Sequence, residues 1–257
     1  GSMGLGYPSV LAKYDTNGQL VKEYPIRNEH GGASISGFCE SRNHEIIISV
    51  WNGRVYHLDK EKDEFIPYPD KMRSRNPTVM VQDNEQDYFW LATWGDGVVR
   101  FDPSAPGDSM FVYSEIPVNA AGEEDGLILS LAQDDKLGYI WLTTGHDFMA
   151  LQIQPDRTLK QLKFPAGLLP VNHMLVEVLK GKECLWVSAF DRPSFILHLM
   201  DNITKDYALP ALADRVNRSP AIMALCDDGD GMMWMMQERT GLALYDLKQD
   251  KVKIYSD

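Results

Sequence analysis

Apolar and polar residues alternate along this chain in short stretches, and the stretches recur in sets of four. The most regular stretch carries a tryptophan. It appears as Tyr88-Phe89-Trp90-Leu91-Ala92-Thr93, Tyr139-Ile140-Trp141-Leu142-Thr143-Thr144, Cys184-Leu185-Trp186-Val187-Ser188 and Met232-Met233-Trp234-Met235-Met236. An earlier copy, Glu45-Ile46-Ile47-Ile48-Ser49-Val50, has Ile47 in the tryptophan's place. The key positions 47, 90, 141, 186 and 234 are 43, 51, 45 and 48 residues apart. Before three of the tryptophans an alternating stretch closes on an aspartate seven residues upstream: Asp83, Asp134 and Asp227. After the key stretch comes a short loop, then a third apolar stretch such as Gly97-Val98-Val99-Arg100-Phe101. A fourth, more polar stretch follows, such as Lys251-Val252-Lys253-Ile254-Tyr255.

Period-2 alternation and enrichment in β-branched and aromatic residues predict that each stretch is a strand. No 3.6-residue periodicity supports a helical solenoid. Four antiparallel strands per ~45 residues is the pattern of a β-propeller blade. The predicted fold is therefore all-β. It has a partial N-terminal blade over 4–28 and five full four-stranded blades near 29–72, 73–118, 119–168, 169–214 and 215–257, forming one propeller domain. Asn17-Gly18 predicts a tight hairpin turn in the partial blade. Trp90, Trp141, Trp186 and Trp234 are expected in the core, and Met232, Met233, Met235 and Met236 as core filling. The end of the sequence offers no spare first strand for closing a ring. The expectation is a piece of a longer array, or a ring closed imperfectly or through another copy. Gly1-Ser2-Met3 reads as a cloning remnant.

The run Leu131-Ala132-Gln133-Asp134-Asp135 … Gly138-Tyr139-Ile140-Trp141-Leu142-Thr143-Thr144, together with Gly241-Leu242-Ala243-Leu244-Tyr245-Asp246, resembles the two-component regulator propeller repeat. The resemblance spans residues 5–257. It implies a periplasmic sensor domain of a Bacteroides-type hybrid histidine kinase, anchored in the inner membrane through other parts and responding to polysaccharide breakdown products. The kinase, receiver and DNA-binding parts such a protein needs are not in this sequence. Three departures are visible. Ile47 replaces tryptophan, 145–150 lacks the usual Gly-Leu start, and Leu179-Lys180-Gly181-Lys182-Glu183 lacks the Asp-Asp turn.

Charge narrows the partners. With 25 basic and 37 acidic residues the net charge is −12, which argues against a nucleic-acid surface. No apolar run is long enough to enter a membrane as a helix. Cys39, Cys184 and Cys226 each sit in an apolar stretch and read as small buried hydrophobes, although spacing leaves one disulfide open. No nucleophile elbow, zinc-protease, phosphate-loop or dinucleotide motif occurs, so no catalytic residue, cofactor or metal site is expected. His146-Asp147 with Glu238 is the nearest approach to an acid–base cluster, and it keeps a propeller lyase or lactonase as the lesser alternative.

In a propeller, the loops between second and third strands and those crossing between blades gather on one face, and loops on a rigid scaffold carry function. The candidate ligand residues on the strand two–three loops are Trp51, Arg54, Trp94, Asp96, His146, Asp147, Phe190, Arg192, Glu238 and Arg239. Arg75, His173 and Arg218 lie on the crossing loops. Aromatic faces stack on sugar rings, and arginine forks suit uronate or sulfate groups. The expected partner is therefore an oligosaccharide, with a homodimer as a second expectation. Two bland readings stay open: Trp51 and Trp94 packing between blades, and the arginines as a solvated face. Asn28, Asn76, Asn172 and Asn217 recur at similar places and favour turn capping. A scaffold propeller with no ligand of its own is the main alternative.

Overall fold

The computed structural model describes residues 9–26, 34–69, 72, 76–119, 121–134, 137–145, 147–162, 174–179, 184–189, 195–198, 207–208, 222–228, 230–237, 241–246, 248–249 and 251–255. The chain forms two compact units, Gly1–Ser114 and Glu115–Asp257.

Unit 1 begins with a two-stranded hairpin, β1 (Ser9–Tyr14) and β2 (Leu20–Ile26). Gly18 takes φ +77°, as the Asn-Gly turn requires, and Asp15 Oδ1 accepts the amides of Asn17 and Gln19. Two four-stranded antiparallel meanders follow. The first is β3 (Ser34–Glu40), β4 (Ile46–Trp51), β5 (Val55–Asp59) and β6 (Glu64–Pro67). The second is β7 (Pro77–Gln82), β8 (Phe89–Thr93), β9 (Val98–Phe101) and β10 (Phe111–Tyr113).

Unit 2 holds three more sheets of the same order. They are β11 (Ile128–Gln133) to β14 (Leu159–Gln161) through β12 (Tyr139–Thr144) and β13 (Phe148–Ile153); β15 (Met174–Leu179), β16 (Cys184–Ala189), β17 (Phe195–His198) and β18 (Tyr207–Ala208); and β19 (Ile222–Asp227), β20 (Met232–Gln237), β21 (Gly241–Asp246) and β22 (Lys251–Tyr255). Among the described residues the one helical element is a 3-10 turn, Gly107–Met110.

Within each unit the sheets stack face to face through their first strands: β3 against β7, β11 against β15, and β15 against β19. Side chains alternate between the two faces of a strand. Ile47 points toward the β7–β10 sheet and packs with Met80, Phe89 and Leu91. Ile48 and Val50 point the other way, onto Leu11 and Ile26 of the hairpin. Both faces of the middle strands are therefore covered, and all five residues of β8 are buried. Trp90 and Trp141 are fully enclosed, as expected.

Several expectations need correction. Trp234 is half-buried, and Met236 is 49% exposed although Met233 and Met235 are enclosed. Cys226 is exposed, not buried. Cys39 is partly buried; its Sγ donates to the Met80 carbonyl, and burial pushes the thiol up to about 11. The side chain of Cys184 lies outside the described residues, as does that of Trp186.

The aspartates turn out to serve the tryptophans. Trp90 Nε1 donates to Asp83 Oδ2 at 2.8 Å, and Trp141 Nε1 to Asp134 Oδ2 at 2.7 Å. The other oxygen of each carboxylate caps the connecting turn: Asp83 accepts the amides of Glu85 and Gln86, and Asp134 that of Leu137. In the last sheet this position is held by Asp228, not Asp227. Cross-strand pairing puts Cys226 opposite Trp234, as Val81 stands opposite Trp90, and the turn residue lies two further on. Asp228 Oδ1 accordingly caps Asp230 and Met232, and the turn is one residue shorter.

Candidate functional site

The second strands deliver their last residues to the loops expected to carry function. A β-bulge lies at that end of the first strand in four sheets, where the register skips between Ile35 and Gly37, Pro77 and Val79, Ile128 and Ser130, and Ile222 and Ala224. Bulges bend a strand and re-aim its neighbours, and they are frequent beside functional sites.

In unit 1 two loops meet. Trp51 closes β4 and is followed by a tight turn in which Gly53 N donates to Val50 O at 3.0 Å. A Cβ on Gly53 would come within 2.9 Å of Val50 Cγ1, so the turn needs glycine. Trp94 follows β8, and its amide donates to Asn76 O at 2.8 Å. That bond anchors the loop through the Asn76 backbone. Gly95 and Gly97, both at positive φ, let the chain reverse immediately after Trp94. Thr93 Oγ1 locks the reversal, donating to Gly97 O at 2.8 Å and accepting the Asp96 amide at 3.1 Å.

The two indoles stand edge to face, with centroids 5.2 Å apart and planes at 84°. Trp51 is half-buried, whereas Trp94 is 47% exposed. The pair is thus a braced aromatic platform: one ring wedges the other, and the outer ring keeps open surface. Arg54 and Asp96 sit half-buried on the same two loops.

In unit 2 the corresponding turn is built alike. Asp147 donates its amide to Thr144 Oγ1 at 2.9 Å, and Thr144 Oγ1 donates to Asp125 Oδ2 at 2.5 Å. Asp125, 4% exposed, comes from the crossing loop and ties it to the strand two–three loop. Sequence reading did not single out this tie. Its signal is the threonine three residues after each of Trp90 and Trp141.

Of the candidate residues, the structure brings Trp51 and Trp94 into contact, and Arg54, Asp96 and Asp147 onto ordered loops. Arg75, His146, His173, Phe190, Arg192, Arg218, Glu238 and Arg239 lie outside the described residues. Among the described residues no three His, Cys, Asp or Glu side chains gather as a metal ion would require. No helix among them is long and apolar enough to cross a membrane.

No family model matches the sequence, and no curated protein does. Solved structures do match. Virginiamycin B lyase from Staphylococcus aureus is similar over 96% of this chain and 77% of its own, with a TM-score of 0.68 and 13% identity. The Cps50 (Swd1) β-propeller domain from Myceliophteria thermophila aligns over 96% and 79%, with a TM-score of 0.67 and 10% identity. The extracellular domain of a putative hybrid two-component system from B. thetaiotaomicron aligns over 89% of this chain, with a TM-score of 0.61 and 14% identity. This chain spans only 30% of that domain's length.

With its repeated four-stranded meanders and these neighbours, the chain is a β-propeller module. At such identities the likeness establishes the fold and not an activity. The neighbours include a lyase and the extracellular domain of a putative two-component system alike.

Proposed function

We propose that this module is the ligand-sensing part of a periplasmic two-component sensor and binds an oligosaccharide without cleaving it. The observation that carries the reading is the Trp51–Trp94 pair: perpendicular indoles 5.2 Å apart, the outer one 47% exposed on a loop fixed by three hydrogen bonds. An exposed tryptophan braced in this way offers a flat apolar face already oriented, so little ordering cost is added on binding. Arg54 and Asp96 on the same loops supply polar groups beside that face, the mixture typical of small-ligand sites. The extracellular domain of a putative two-component system with the same fold supports the signalling context, and the lyase neighbour defines the competing reading.

The test is calorimetry against neutral, acidic and sulfated oligosaccharides, run beside a product assay. Binding without product is expected, with Trp94→Ala weakening it at least tenfold, or about 1.4 kcal/mol. The same variant should lower the unfolding midpoint less than truncation of an enclosed tryptophan such as Trp141, because Trp94 is 47% exposed and gives up chiefly its contact with Trp51. Accumulating product would replace sensing by catalysis. Full-strength binding by Trp94→Ala would remove the tryptophan pair from the site.

A further inference from the structure

Two asparagines in the sequence precede a glycine, Asn17 and Asn52, and the fold surrounds them differently. Such a pair is chemically special because glycine has no side chain to hinder its own amide nitrogen. That nitrogen attacks the side-chain carbonyl carbon of the preceding asparagine when the peptide between them is free to rotate. What the folded chain packs around each turn therefore decides which of the two reacts.

Asn17-Gly18 forms the tip of the β1–β2 hairpin, and every residue from Asp15 to Leu20 is exposed. Among the described residues the Asn17 side-chain amide makes no hydrogen bond. The Gly18 amide donates to Asp15 O at 3.1 Å, and water takes over that bond when the tip opens, because Asp15 is exposed. A Cβ built on Gly18 meets no atom within 4 Å, so nothing packs against that side of the turn. This exposure does not come from the open face of the hairpin. The β5–β6 turn belongs to a sheet covered on both faces, and Lys60, Glu61 and Lys62 are exposed there as well.

Asn52-Gly53 is held more tightly. Gly53 is buried, and its amide donates at 3.0 Å to the carbonyl of Val50, which is 0% exposed. No water reaches that carbonyl to replace the bond. A Cβ on Gly53 would come within 2.9 Å of Val50 Cγ1 and 3.2 Å of Val50 O, so the peptide is closely packed. Rotating the Asn52–Gly53 peptide means opening a packed turn, whereas rotating Asn17–Gly18 opens one already in water.

We propose that Asn17 is a self-modification site, at which the chain loses ammonia and becomes a mixture of isoaspartate and aspartate. The Gly18 nitrogen gives up its proton to solvent and bonds to Asn17 Cγ. The Cγ–Nδ2 bond breaks, and Nδ2 takes a proton from water and leaves as ammonia, which closes a succinimide ring. Water then opens the ring at either carbonyl, breaking its bond to the Gly18 nitrogen. Addition at Cγ leaves aspartate in an ordinary backbone. Addition at the main-chain carbonyl leaves isoaspartate, with the chain running through Cγ. Isoaspartate puts an extra backbone carbon between Asp15 and Gln19, which close the turn on each other. Either product also brings a new carboxylate close to that of Asp15, which caps the Asn17 and Gln19 amides. Because the turn fixes hairpin register, both effects loosen β1 against β2.

Incubating the folded protein in mildly alkaline buffer, then digesting it for mass spectrometry, tests this beside a parallel sample in guanidinium. In the folded protein Asn17 should react at least roughly tenfold faster than Asn52, a ratio that needs only about 1.4 kcal/mol of extra opening cost at the Asn52 turn. In guanidinium that protection is gone, and the two should react at similar rates. The Asn17 product should contain isoaspartate as well as aspartate, and Asn17→Gln should not form it. Aspartate alone at Asn17 means direct hydrolysis and overturns the ring. Equal rates at Asn17 and Asn52 in the folded protein, or no reaction at Asn17, overturn the proposal outright. The modified chain, separated by its added negative charge, should exchange its β1 and β2 amides faster than the unmodified chain, with β4 and β8 unchanged. Equal exchange in the hairpin overturns the loosening.

Discussion

Replacing Asp83 with alanine asks whether the aspartate–indole bond holds its blade together. Asp83 and Trp90 are 1% and 0% exposed, so no water replaces the carboxylate at the indole N–H. A buried donor left without an acceptor costs ~1–3 kcal/mol, so about 2 kcal/mol is assigned to the indole bond. The two amides capped by the other oxygen belong to exposed Glu85 and Gln86, where water substitutes at a cost of about 1 kcal/mol. Asp83→Ala should therefore lose about 3 kcal/mol. In a Trp90→Phe background the indole N–H is gone, and the same change should lose only the turn's share. The coupling is then about 2 kcal/mol, within the range for directly bonded neighbours. Guanidinium unfolding followed by circular dichroism measures it, provided the four variants share one slope. A coupling below about 0.5 kcal/mol would refute the reasoning, since sites that far from interacting simply add.

Other outcomes follow from the same packing. A Cβ on Gly37 would lie 2.5 Å from Ser49 Oγ and 3.2 Å from the Met80 backbone, so Gly37→Ala should cost ~1–3 kcal/mol of overpacking. A Ser49→Ala background should recover part of this, and an unchanged melting temperature for Gly37→Ala alone would contradict the close approach. Asp63 pins the hairpin to the β3–β6 sheet, accepting Lys22 Nζ at 2.8 Å and Tyr24 Oη at 2.7 Å, and those bonds hold its carboxyl below the ordinary value. A lowered folded pKa means the pin is fully present above the unfolded pKa and is lost as pH falls through the folded one. Amide exchange in β1 and β2 should be faster in Asp63→Asn than in the unsubstituted protein at neutral pH. The two should converge in acid below the carboxylate range, and a difference that persists there would show that the pin is not electrostatic.

The repeat was legible because a strand buried on both faces leaves a dense apolar stretch, and five such stretches at near-equal spacing have one economical explanation. What counting along the chain missed is set by pairing across it. Asp227 stands seven residues before Trp234, as Asp83 does before Trp90, yet a turn shorter by one residue hands the capping of the turn to Asp228. Cys226 and Met236 look like core because their stretch is apolar. Whether a face is covered depends on a neighbouring sheet, which the stretch itself does not encode. The loops are harder still. Trp51 and Trp94 lie a whole blade apart in sequence, and only the stacking of the two sheets brings their rings together.

The departures from the repeat then acquire physical sense. Ile47 has no N–H to satisfy, and the aspartate's place in its turn is taken by Ser41, which still caps the turn by accepting the Glu45 amide at 3.0 Å. The two functions of the aspartate are separable, and this blade keeps the one it needs. The blade of Trp186 departs differently. Its tryptophan remains, but Leu179 stands two residues beyond the cross-strand partner Glu177, where the others place Ser or Asp, and its first strand runs without the bulge found in the other four. Leucine can neither cap a turn nor receive an indole N–H. In the Ile47 blade tryptophan and aspartate were lost together, whereas here the acceptor was lost alone.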